Sequence, residues 1–110
     1  MSYLDLNTVE EKEIVPGYFA KFIHSANMTI AYWNIKAGAS LPAHSHPHEQ
    51  ICLLLSGEFE LTVDGKPQLM KPDNTFKIPS NIPHSGKAIT DCKIVDTFYP
   101  VRDDYKKISR

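Results

Sequence analysis

His44-Ser45-His46-Pro47-His48-Glu49-Gln50 gathers three of the chain's five histidines into one short stretch. Side chains two apart on an extended strand project to the same face, so His44 and His46 can aim their imidazoles at one point, and Gln50 shares their parity. Imidazole nitrogen and amide oxygen both suit a borderline divalent cation. Parity would turn His48 inward as well. Pro47, however, has no N–H and marks a bulge or edge where alternation fails, so His48 is expected at a rim. Glu49 rivals Gln50 as a ligand, and its parity counts against it. His24 lies in a loop between strands and is expected in solvent. The alternative reading of the cluster is a set of histidines that only hydrogen-bond inside the fold, with no metal.

Outward from this stretch, short β-prone segments alternate with turn signals about every ten residues, the pattern of an all-β sandwich or barrel. Tyr18 to Ile23 and Met28 to Ile35 read as two strands, followed by a loop from Lys36 to Ser40. Ile51 to Leu55 is continuously apolar, as expected of a strand covered on both faces. Phe59, Leu61 and Val63 then alternate with Glu58, Glu60 and Thr62, a half-buried strand of period two. Asp64-Gly65 supplies the positive φ angles of a tight hairpin. Pro72-Asp73-Asn74 turns into a strand over Thr75 to Ile78, Pro79 to Pro83 turns again, and Ile94 to Tyr99 is a last strand stopped by Pro100. Only the tail, Val101 to Ile108, looks helical. Without alternating helices, a parallel α/β sheet is not expected.

Composition agrees with one soluble domain over residues 1–110. Twelve basic and thirteen acidic residues give a net charge of −1, which offers no electrostatic case for nucleic acid or an anionic membrane. The two cysteines, Cys52 and Cys92, form no CxxC pair and are expected as buried, reduced thiols of a cytoplasmic protein. The N-terminus lacks a basic region and an apolar core, so no signal peptide is read there. No apolar run approaches the roughly 20 residues of a membrane helix.

The spacing around the histidines is specific. Gly38, five residues, His44-x-His46, three residues, Gln50, six residues and Gly57 resembles the first motif of the cupins, over residues 38–57, with Gln where Glu is commoner. Pro79-Ser80-Asn81-Ile82-Pro83-His84 resembles the second motif, over 73–88, with His84 at the last ligand position. The resemblance implies an RmlC-like jelly-roll barrel with a short C-terminal helical tail, and one divalent ion held by His44, His46, Gln50 and His84. Ni²⁺, Mn²⁺, Fe²⁺, Zn²⁺ and Co²⁺ all accept this ligand set, so the sequence leaves the metal open. Asp73 and Asn81 stand where the second motif usually has Gly. Asp and Asn are the residues next most tolerant of φ > 0, so the turns are expected to survive. Ala88 replaces the Asn that usually follows the last histidine.

Asp96-Thr97-Phe98-Tyr99-Pro100-Val101-Arg102 completes the reading. Asp96 and Phe98 share a face, and Arg102 lies just beyond the strand. On spacing alone an Asp96–Arg102 salt bridge with Phe98 in the core is favoured. Yet His44 to Gln50, Ile78 to His84 and the Asp96-x-Phe98-x-Pro100-x-Arg102-x-Asp104-Tyr105 tail together make the chain similar to the KdgF-type pectin degradation cupins. That resemblance implies a homodimer that turns 4,5-unsaturated uronate monosaccharides into linear ketonised sugars, with Asp96, Phe98 and Arg102 as active-site residues beside the metal. A neutral Gln ligand leaves the metal's charge uncompensated, and four protein ligands leave two octahedral positions for an anionic sugar. The alternatives are a metal cupin with another small-molecule substrate, such as an Fe-dependent dioxygenase or isomerase, and a non-catalytic binder of small molecules.

Overall fold

A computed structural model describes residues 2–108. After a 3-10 turn at Leu6–Thr8 the chain forms ten strands and a terminal helix. They are β1 (Lys12–Val15), β2 (Tyr18–His24), β3 (Thr29–Ile35), β4 (Ser40–His44), β5 (Glu49–Ser56), β6 (Phe59–Val63), β7 (Lys66–Met70), β8 (Thr75–Ile78), β9 (His84–Ala88), β10 (Cys92–Tyr99) and α1 (Asp103–Ile108). One sheet runs β1-β2-β3-β10-β5-β8, and it faces a second of order β4-β9-β6-β7. The pairings of both sheets are antiparallel. The two stacked layers form the jelly-roll barrel that the motif spacing implied. Among the described residues no helix is long and apolar enough to cross a membrane.

Period-two alternation builds the core. Ala20 and Phe22 on β2, Ala31 and Trp33 on β3, Ile94 on β10 and Leu54 on β5 all turn inward and are buried. Gln50, Asp96 and Thr29 fall on the same inward register and are buried with them. An apolar wall therefore carries a few polar side chains, each of which needs a partner.

One strand departs from expectation. The apolar run Ile51 to Leu55 is not covered on both faces. Cys52 and Leu54 are buried, but Ile51 and Leu55 keep 47% and 48% of their surface exposed. β5 is an interior strand of one sheet with a second layer on one side only, so alternate apolar residues point outward.

The turns follow the sequence closely. Asp73 and Asn81 have φ of 73° and 63°, and Asp64 before the hairpin glycine has 52°. Gly57 has φ of 91°, and a Cβ there would lie 2.1 Å from the Asp91 carbonyl oxygen. Cys52 and Cys92 are buried free thiols.

Candidate functional site

The imidazoles converge through strand pairing and a tethered loop. His44 ends β4 and pairs in register with His84, the first residue of β9. His46 belongs to neither strand. It lies in the β4–β5 loop, where its carbonyl accepts the Asn81 N–H at 2.8 Å. The Asn81 turn thus fastens the loop carrying His46 to the segment leading into His84. Parity found the right pair, but the second histidine reaches the site from a loop and not from a strand.

Each of the three rings is oriented by a backbone carbonyl. His44 Nδ1 lies 2.9 Å from Pro42 O, His46 Nδ1 3.0 Å from His48 O, and His84 Nδ1 2.9 Å from Ile82 O. A carbonyl only accepts, so Nδ1 carries a proton in each ring, and in the neutral imidazole Nε2 is then the nitrogen with a free lone pair. Donor atoms of the three histidines lie within 4.8 Å of one another, and His46 Nε2 is buried without a partner. Three convergent, deprotonated imidazole nitrogens fit a divalent ion. Burial, with the nearby Arg102 and His84 adding to it, lowers the His46 pKa to about 4, which keeps the ring in the neutral form a metal requires.

Gln50 and Asp96 flank this triad. Gln50 is buried on β5 and opposes Phe98 of β10, so it is the diagonal neighbour of Asp96 on the inner face. Burial raises the Asp96 pKa to about 6, while Gln50, Cys52 and Trp33 approach the carboxylate and restrain the rise. Asp96 Oδ1 and Trp33 Nε1 nonetheless complete no hydrogen bond of good geometry. Glu49 is exposed and points away, as parity required. His48 is half-buried beside His46, with ring centroids 5.3 Å apart, and does not line the cavity that His44, His46 and His84 share with Asp96.

The C-terminal side differs from the simplest expectation. Arg102 pairs with Asp104 and not with Asp96, through Nε to Oδ1 at 3.0 Å and Nη2 to Oδ2 at 2.7 Å. Its guanidinium carbon lies 4.7 Å from the Phe98 ring centroid and 4.0 Å from that of Tyr105. Phe98 is in the core, as expected, and Arg102 covers its ring. His24 is not simply solvated. Its Nδ1 lies 2.9 Å from Thr29 Oγ1, and the same oxygen accepts the Arg102 backbone N–H at 2.9 Å. Sequence reasoning missed Asp104, Tyr105 and Thr29 as neighbours of Arg102. Only the Asp-Tyr pair left a trace there, as part of the tail motif.

The profile of the cupin domain family matches residues 31–98. The chain is 29% identical over 70 residues to the pectin degradation protein KdgF of Dickeya dadantii, a match covering 62% of this chain and 64% of that protein. It is 25% identical over 108 residues to H2HPP isomerase of Bacillus subtilis, covering 96% of this chain and 46% of that protein. The chain thus matches less than two thirds of the length of either relative. The structure of KdgF from Halomonas sp. superposes with a TM-score of 0.90 at 26% identity, covering 96% of this chain and 98% of that one.

Proposed function

The chain belongs to the cupin domain family, and from that premise we propose that it is a metal-dependent sugar-acid enzyme, opening and ketonising 4,5-unsaturated uronate monosaccharides. The observation that carries the reading is the convergence of three imidazole Nε2 atoms beside a buried carboxylate and a buried guanidinium. His44, His46 and His84 would hold one divalent ion, with the Gln50 side-chain oxygen as fourth ligand. When bound, the ion supplies Lewis acidity toward a substrate carbonyl or hydroxyl oxygen.

The chain's own residues do the rest. Asp96 accepts the hydroxyl proton as the sugar ring opens and returns it as the ketone forms, a task helped by a carboxylate held in a dry wall. Arg102 binds the substrate carboxylate. Phe98 holds the guanidinium from one side and closes the apolar wall, because its ring is covered by Arg102 and is not free to stack on a sugar. Similarity to KdgF supports the substrate class.

A second copy of the chain is the proposed partner. Ile51 and Leu53 of β5 pair with Thr97 and Val95 of β10 on the outer face of the larger sheet, with exposed Leu55 and Tyr99 at the two ends of the row, 48% and 54% exposed. A two-fold dimer would bury this row against itself.

The test is to mix metal-loaded protein with the unsaturated uronate under anaerobic conditions and record the ultraviolet absorbance of its conjugated carboxylate. Loss in proportion to protein concentration is expected without oxygen. Loss only in the presence of oxygen would replace the isomerase reading with an oxygenase.

A further inference from the structure

We propose that Asp104 is the positioning residue that sets the orientation of Arg102, leaving the far edge of its guanidinium for a ligand carboxylate. This rests on the reading of Arg102 as the carboxylate-binding group. Arginine has five N–H groups in a planar fork. Asp104 takes Nε–H and one Nη2–H side-on. This leaves the end-on edge, formed by one Nη1–H and the second Nη2–H, for a carboxylate's two-pronged grip.

The rest of the guanidinium's freedom is removed by packing. Phe98 and Tyr105, whose rings meet edge to face with centroids 5.8 Å apart, form two walls of a corner around it, at 4.7 and 4.0 Å. The Arg102 backbone N–H is held by Thr29 Oγ1, which is buried in β3. Tyr105 is in turn stacked on Phe22, with ring centroids 4.6 Å apart. The two bonds to Asp104 fix the direction of the fork within this corner. Asp104 itself is exposed, with 57% of its side-chain surface open. An exposed ion pair contributes little to stability. Its geometric effect on a buried partner is a separate matter.

The opposite possibility is that Asp104 competes with the ligand carboxylate for Arg102. The two differ in the sign of one substitution. Asp104→Asn, in the metal-loaded full chain acting on the unsaturated uronate, is expected to raise KM about 5- to 50-fold with kcat changed less than about threefold, because one charge-assisted bond is lost. Asp104→Glu is expected to recover most of the lost affinity. A KM that falls or stays constant in Asp104→Asn overturns the proposal.

A second arm needs no substrate. Solvent exchange of the Arg102 Nε–H, followed by nitrogen-resolved NMR, is expected to be slow in the wild type, at least tenfold faster in Asp104→Asn and slow again in Asp104→Glu. Equal exchange in all three proteins overturns the clamp. A wild type inert to the uronate but with a protected Nε–H contradicts the substrate assignment alone and leaves the clamp standing.

Discussion

At the scale of single residues the site depends on which atom of each side chain is free. His44, His46 and His84 give their Nδ1 protons to carbonyls and keep Nε2 for a ligand. His44→Ala and His46→Ala are each expected to lose the divalent ion, whereas His48→Ala keeps it. Elemental analysis of the purified proteins checks this, and equal loss from the His48 variant would reassign the ligands. Asp96→Asn keeps the shape of the wall but removes the proton acceptor. Turnover is expected to fall by about 10²–10⁴ while the metal stays bound. Arg102→Lys keeps the charge but loses the fork, so its effect is expected in KM. Acid acts on the same atoms. The folded-state pKa of His46 lies below its unfolded value, so the unfolded chain binds more protons between about pH 4 and 6.5. Metal-free protein is therefore expected to lose stability as pH falls through that window, which thermal melts at a series of pH values would show. Raised Asp96 works the other way over most of that window, but burial also lowers the pKa of His24, His48 and His84, so the histidines together set the sign.

The elements explain why much of the site was legible in the sequence and where legibility ended. Period two placed Gln50, Asp96 and Phe98 on the inward face, and all three are buried. Turn chemistry placed Asp73 and Asn81 at positive φ, as found. The partner of Arg102 was not legible in this way. The side-on pair with Asp104 depends on how the chain leaves β10 and enters α1, and spacing alone favoured Asp96. The unbroken apolar run misled at Ile51 to Leu55, because an apolar residue on an outer face looks the same in sequence as one in a core. The pairing of β4 with β9, which sets His44 against His84, links positions 40 residues apart, too far for any local pattern to reveal. The Asn81 turn couples these levels, for its N–H holds the His46 carbonyl. Asn81→Val is expected to cost about 1–3 kcal/mol, since a β-branched residue resists φ > 0. Denaturant unfolding measures the loss, and an unchanged midpoint would remove the turn from the account.

For the whole molecule, the two-layer barrel seals one side of the larger sheet and leaves the other to solvent or a partner. The proposed dimer predicts a two-chain species for the wild type by sedimentation and a monomer for Leu55→Lys, with the metal content unchanged. The barrel's central proposal is that one ion, held at the end of β4, in the following loop, on β5 and at the start of β9, makes the interior reactive. The most direct test is to strip the protein of metal and titrate a divalent ion back while recording bound metal and the rate of loss of the unsaturated uronate absorbance. The account predicts a rate that climbs with bound metal and breaks at one equivalent per chain. A rate that stays at the spontaneous value throughout the titration, or one already full in the metal-free protein, would contradict it.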